Sequence, residues 1–340
     1  MPKPILTSLT RIAGFDSRPA GVEAIAREAW AEGDYVVAEV LAGGSSPYEI
    51  EHPSGRMVEV VPTNLIIGAL GRRTATLRLV GDWRAVDDDR LDALTVSGVL
   101  GRCTSAAIPQ PPMAKLRYVG HAIRDGERVT MSGCVDRSAA GELTAPVVLL
   151  TGTSMQAGKT TTGKALIRRL KRMGVRVTGT KLTGVGRYRD ILSFADAGAD
   201  HVLDFVDAGL PSSATDEDIY EAALRQLLSM IAATEPDVVI AEAGASPLEP
   251  YNGETAIRIL GDRVRLTILS ASDPYAAAGV IQAFGSAPDM VGGWAASTSA
   301  AVELVDKLTG LPAVSALDPN AGPILDALLI DKLGLEPSRD

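Results

Sequence analysis

Residues 146–164, APVVLLTGTSMQAGKTTTG, decide how the rest of the chain is read. An apolar run over 147–150 ends at Thr151-Gly152. A short loop, 153–157, leads to Gly158-Lys159-Thr160, and an amphipathic helical pattern follows from Lys164 to Met173. Strand, tight loop, Gly-Lys-Thr and helix together make a phosphate-binding P-loop. Backbone N–H groups of the loop and of the helix N-terminus point at phosphate, and the helix dipole favours its negative charge. In this reading Gly158 lets the backbone come close, Lys159 reaches the β- and γ-phosphates and the Thr160 hydroxyl binds Mg²⁺. Gly152, Thr153, Ser154, Gln156, Ala157 and Thr161 complete the nucleotide-binding set. Five residues, where the strict motif has four, separate Gly152 from Gly158.

Composition narrows the partners. Aromatic residues make up 4% of the 340-residue chain and the net charge is −9. A stacking surface for single-stranded nucleic acid and a basic face for duplexes are therefore not expected. The N-terminal MPKPILTSLTRIAGF lacks the apolar core of a signal peptide. No apolar run reaches membrane-spanning length, so no membrane association is expected. Cys103 and Cys134 have no metal-like or disulfide spacing, which fits reduced thiols in the cytoplasm. His52, His121 and His201 are scattered, without ligand spacing.

The pattern changes near residue 140. Residues 1–142 read as a smaller β-rich domain, a small barrel or sandwich. One short helix is expected over 21–30, a strand over 35–41, a hairpin over 48–61 and a half-buried strand over 74–80. Strands at 116–121 and 129–135 flank a turn at 124–127, and the proline-rich 106–113 is a rigid loop. Tyr48, His52, Arg56 and Arg72 are candidate lining residues there. Residues 143–340 alternate strand and helix, which predicts an α/β domain: a mostly parallel sheet with helices on both faces. Ligands of such sheets bind at the carboxyl ends of the strands.

Two further motifs lie at such ends. The second strand leads into Lys181, Thr183, Gly184 and Arg187, where lysine and bare backbone suit an anion or substrate. A later strand ends in Glu242, a candidate Mg²⁺ ligand of Walker-B type, followed by Gly244, Ala245 and Ser246 as substrate contacts. Between them stand four acids, Asp190, Asp196, Asp200 and Asp204. Asp200 and Asp204 are the preferred second metal ligands, and Asp204 joins Thr160 and Glu242 in the expected metal set.

The segment 152–160 with its five-residue spacing resembles the P-loop of dethiobiotin synthetase. Lys181 matches that family's second lysine, and Glu242-Ala-Gly-Ala is similar to its Glu-Gly-Ala-Gly segment. The resemblance covers roughly 147–300 and extends to the wider superfamily of cobyrinate amidases and the MinD/ParA group. It implies that Lys159 and Thr160 bind phosphate and Mg²⁺. It further implies that Lys181 stabilises the transferring phosphoryl group or a carboxylate intermediate, and that Glu242 binds Mg²⁺. A homodimer is implied as well. The family's adenine-recognising asparagine is absent; Ala295, Ala296, Ser297 and Thr298 stand in that region and leave the base open. Residues 200–209 and 309–314 also resemble a P-loop family of unknown function that includes D-glutamate N-acetyltransferase-type members, whose N-terminal domain is Rossmann-like. The expected activity is ATP- and Mg²⁺-dependent activation of a small carboxylate or amine by phosphoryl transfer, as a ligase or kinase, with Lys159, Lys181 and Glu242 catalytic. An N-acyltransferase that uses coenzyme A and a regulatory or assembly NTPase are the alternatives.

Overall fold

The alternation after residue 146 is realised as one six-stranded sheet. The computed structural model describes residues 3–44, 47–244 and 246–335. The strands are β1 (Val147–Gly152), β2 (Val177–Thr183), β3 (His201–Asp204), β4 (Val238–Ala243), β5 (Val264–Ala271) and β6 (Met290–Gly293). They lie in the order β3-β2-β4-β1-β5-β6, every pair parallel. The helices are α1 (Lys159–Arg172), α2 (Tyr188–Ala195), α3 (Glu217–Ala232), α4 (Gly253–Leu260), α5 (Pro274–Phe284), α6 (Ser299–Thr309) and α7 (Gly322–Leu333).

Every residue of β1, β2 and β4 is buried; β1 and β4 carry the apolar runs expected when helices cover both faces of a sheet, whereas β2 (VTGTKLT) buries threonines, a glycine and Lys181. On one face Val148, Leu150, Ile240 and Ile268 pack with Leu166 and Leu170 of α1, Phe194 of α2 and Leu325 and Leu329 of α7. On the other, Leu269, Ala271 and Val291 meet Ala277 of α5 and Val305 of α6. Helix α1 carries its buried side chains Leu166, Ile167 and Leu170 at helical spacing and places Arg169, Lys171 and Arg172 in its last turn, where cations suit the dipole. Gly163 lets α1 lie close against the sheet: a Cβ there would be 2.7 Å from the Phe194 ring.

The sheet belongs to a unit formed by Ser138–Gly184, Asp190–Asp204 and Leu224–Asp340. The sequence reading divides the chain once, at 142/143. In the structure Val185–Arg189 and Phe205–Ala223 group instead with Met1–Arg137. In that other unit five strands close on themselves. Tyr35–Val40 pairs with Leu65–Leu70 and with Lys115–Arg124. Lys115–Arg124 pairs with Arg90–Ala93, and Arg90–Ala93 with Val99–Ala106. Val99–Ala106 returns in parallel to Leu65–Leu70. Val36, Ala38, Ile66, Leu91, Leu100 and Leu116 fill the interior.

Several local expectations are corrected. No helix forms over 21–30. Gly21–Glu23 is a strand paired with His121–Ile123, and only the 3-10 turn Arg27–Ala29 is helical, because the edge of Lys115–Arg124 offers ladder hydrogen bonds that a short helix lacks. The single strand over 74–80 is a hairpin of Arg72–Thr74 with Leu79–Asp82, turned at Ala75 and Arg78. Residues 129–135 carry an isolated bridge at Thr130 and the 3-10 turn Ser132–Cys134. His121 is wholly buried, its Nε2 3.2 Å from Asp34 Oδ2 and its Nδ1 2.6 Å from the Tyr118 hydroxyl. Tyr48, His52, Arg56 and Arg72 make no common site. Tyr48 is buried, His52 bonds to Ser54, Arg56 is exposed, and Arg72 is held by Glu32 and Asp216. Among the described residues no helix is long and apolar enough to cross a membrane.

Candidate functional site

The loop between β1 and α1 is shaped by left-handed backbone at Gln156 (φ 65°) and Gly158 (φ 109°). Gly158 is the N-cap of α1, so the first N–H groups of the helix open into the loop. The loop is tied to the ends of the neighbouring strands. Thr153 N–H donates to Ser270 O at 3.1 Å, and Ser272 N–H donates to Thr153 Oγ1 at 3.1 Å. Thr162 Oγ1 lies 3.4 Å from Ser270 Oγ. At the end of β6 backbone meets backbone. A Cβ on Gly293 (φ 76°) would fall 2.1 Å from Ala157 O, and one on Gly158 would fall 3.0 Å from Gly293 Cα. The next residue, Trp294, is 65% exposed and donates from Nε1 to Gln156 O at 3.2 Å. A glycine pair closing a strand was the available signal for this contact, which the sequence reading did not use.

Two lysines converge with carboxylates at the carboxyl ends of β1, β2 and β4. Lys159 is 6% exposed, and its ammonium donates to Ser154 O at 2.8 Å. Burial pushes its pKa down against the attraction of Glu242, with Lys181 adding to the fall. Lys181 is also 6% exposed. Burial opposes its charge too, yet the adjacent Asp190 carboxylate, then Glu242 and Asp204, outweigh that and hold its pKa above the ordinary lysine value. Sheet register explains the arrangement: Lys181 stands opposite Asp204 on one side and Glu242 on the other. Glu242 also stands opposite Leu150 of β1, which brings it to the start of α1. There the Thr160 hydroxyl donates to Glu242 Oε2 at 2.8 Å.

The substrate candidates divide. Thr183, Gly184 and Gly244 come together: Thr183 Oγ1 donates to Gly244 O at 3.2 Å, and a Cβ on Gly244 would lie 2.3 Å from Thr183 O. Ser246 is buried in a local turn, its N–H donating to Glu249 Oε2 at 3.0 Å and its Oγ accepting from Leu248 N–H at 3.2 Å. Ala245 lies outside the described residues. Arg187 is exposed, in the segment Val185–Arg189 that groups with the barrel unit.

The acids also sort themselves. Asp200 is at the amino end of the sheet, bonded to Lys171 Nζ at 2.6 Å and to Val177 N–H at 2.7 Å, so it is no metal ligand for the P-loop. Asp204 is fully buried at the carboxyl end, beside Lys181. Asp190 is the acid in contact with Lys181, at 2.5 Å. Position in the first turn of a helix that follows a glycine-rich strand end was the signal for it.

Thr160 and Glu242 fit Mg²⁺, which takes hard oxygen donors and is usually held by one or two carboxylates together with substrate phosphates and water. Among the described residues no three His, Cys, Asp or Glu side chains gather as a closed metal cage.

No family model and no curated protein matches the chain. Solved structures align over part of it. Chloroplast FtsY from Physcomitrella patens aligns at 15% identity over 60% of this chain and 68% of that one, with a TM-score of 0.38. A DUF1611 family protein from Anabaena variabilis aligns at 20% identity over 57% and 61%, TM-score 0.37. HypB from Helicobacter pylori, solved in complex with nickel, aligns at 15% identity over 58% and 91%, TM-score 0.36. The matched part thus spans about three fifths of the Anabaena chain.

Proposed function

We propose that the parallel-sheet unit binds ATP with Mg²⁺ and transfers the terminal phosphoryl group, activating a small carboxylate- or amine-bearing metabolite as a ligase or kinase. The observation that carries this reading is the Thr160–Glu242 hydrogen bond of 2.8 Å at the mouth of the P-loop, with Lys159 and Lys181 beside it. A hydroxyl and a carboxylate so placed form the hard-oxygen pair that a magnesium nucleotide uses. A site that only cradles coenzyme A phosphates has no need of that pair. Bound Mg²⁺ supplies neutralisation of phosphate charge. The chain supplies the rest. The α1 N-terminus and loop N–H groups orient the phosphates, and Lys159 exchanges the Ser154 carbonyl for phosphate oxygens. Lys181 stabilises charge that grows on the transferring group. Phosphoryl transfer asks for this positioning and electrostatic support more than for covalent help.

The test is a thermal-shift and phosphate-release comparison of the native protein and Lys159→Ala. A ligand that binds only the folded state raises the melting temperature by mass action. The reading expects ATP and ADP to stabilise only with Mg²⁺, and Lys159→Ala to lose both stabilisation and turnover with its circular dichroism unchanged. Turnover that survives in Lys159→Ala, or stabilisation by acetyl-CoA and not by nucleotides, overturns it.

A further inference from the structure

Lys181 is a buried ammonium, and a buried charge persists only when it is paired. Three carboxylates surround it, and they are not equivalent. Glu242 is engaged by the Thr160 hydroxyl, and Asp204 is fully buried in the strand opposite. Asp190 is different. It stands in the first turn of α2, outside the sheet, its side chain is 29% exposed, and its contact with Lys181 Nζ is 2.5 Å. Beside the same ammonium the backbone is bare. A Cβ built on Gly184 (φ 119°) would lie 3.3 Å from Lys181 Cε and 3.7 Å from Nζ, filling the space next to the charge. The charge balance is also wrong for an anion site at rest. The ammonium groups of Lys159 and Lys181 share their surroundings with Asp190, Asp204, Glu242 and Glu249.

We propose that the Asp190 carboxylate is a resident occupant of an oxyanion position at Lys181, in the space left beside it by the missing side chain of Gly184, and that an incoming phosphoryl or carboxylate group displaces it. This inference deepens the phosphoryl-transfer reading and shares its site. It makes the ligand of Lys181 a compact oxyanion able to replace a carboxylate at an ammonium. Asp190 can swing out on its helix turn, whereas Glu242 and Asp204 are held by the sheet.

The experiment is isothermal titration of the native protein and Asp190→Asn, with Asp190→Ser as a second variant should the first melt early. The probes are orthophosphate, malonate, MgADP and the Mg²⁺ complex of a non-hydrolysable ATP analogue. A competitor that fills the position about nine-tenths of the time lowers apparent affinity about tenfold, so its removal should raise affinity by that factor. If the terminal phosphoryl group is the displacing anion, orthophosphate and the ATP analogue gain about tenfold and MgADP does not. If a substrate carboxylate is, malonate gains and neither nucleotide does. No gain for any probe in either variant, or a uniform loss, overturns the proposal and leaves Asp190 as a mere support for Lys181. Failure of the nucleotide reading looks different: neither MgADP nor the analogue binds the native protein, while the orthophosphate and malonate arms still report on Asp190.

Discussion

Lys159 and Lys181 bury the same charge, and their surroundings push it in opposite directions. The Lys159 pKa is lower in the folded protein than in the unfolded chain, so its charge opposes folding at neutral pH. That penalty fades as the pH rises through the lowered pKa and is gone above the ordinary lysine value. Lys159→Met should therefore stabilise the ligand-free protein by about 0.5–2 kcal/mol, the usual size of such gains at functional positions, with the gain vanishing in alkaline solution. Lys181 is the reverse. Its folded pKa is raised, so its contribution is complete below the ordinary lysine value and is lost as the pH climbs through the raised one. Lys181→Met removes the cation that faces Asp190, Glu242 and Asp204 and should cost about 3–5 kcal/mol at neutral pH. Thermal melts of both variants between pH 7 and 11 check the signs; curves that shift together, or in the opposite order, contradict this account. The roles proposed for Lys159, Thr160 and Glu242 were legible in the sequence because each follows from a motif and its neighbouring strand. Asp190 over Asp200 was not legible. The choice depends on which end of the sheet each reaches, and four acids within fifteen residues look alike until the register is known.

At the scale of elements, β1, α1 and β4 were readable because a fully buried strand writes a continuous apolar run and an amphipathic helix writes a 3.6-residue period. Residues 74–80 alternate like a strand and still break into a hairpin, since the Ala75–Leu79 hydrogen bond turns the chain before the ladder can extend. The meeting of the P-loop with β6 was equally hidden, because it joins residues more than 130 positions apart in sequence. It has a sharp consequence. Gly293→Ala combines left-handed backbone, worth about 1–2 kcal/mol for a non-glycine residue, with a Cβ 2.1 Å from Ala157 O. The variant should lose more than that strain alone in urea denaturation, and nucleotide-induced stabilisation should fall with it. A change of less than about 0.5 kcal/mol would show that the loop simply yields. Trp294→Phe, which removes the hydrogen bond to Gln156 O together with part of the ring, should cost about 0.5–1.5 kcal/mol.

At the scale of the molecule, the barrel unit completes itself with chain that comes much later. Glu51 is fully buried and accepts from Ser8 Oγ at 2.5 Å, Tyr188 N–H at 2.8 Å and Arg189 N–H at 2.9 Å. Arg11 pairs with Asp207 at 3.1 Å, and Arg72 with both Glu32 and Asp216. A fragment of residues 1–142 keeps Ser8 on Glu51 and Glu32 on Arg72 but loses the Tyr188 and Arg189 N–H donors to the buried Glu51, Asp207 at Arg11 and Asp216 at Arg72, each loss costing about 1–3 kcal/mol. Such a fragment should show no cooperative melt by circular dichroism, and a folded fragment with a sharp transition would contradict this. The β-rich character of residues 1–137 was legible from alternation and turns. The capture of Val185–Arg189 and Phe205–Ala223 was not, because a single cut in composition cannot reveal a discontinuous unit.

That discontinuity also sets a timetable for synthesis. Ribosomes add roughly 5–20 residues per second, and domains ordinarily fold as they emerge. Here the five closing strands are made while the chain that adds two N–H donors to Glu51, Asp207 to Arg11 and Asp216 to Arg72 is still being translated. The interval from Arg137 to Ala223 lasts roughly 4–17 s at those speeds. Through it the nascent barrel carries a buried carboxylate still short of two N–H donors and two arginines each still short of a carboxylate, so this unit, though first in the chain, is completed only once Ala223 has been made.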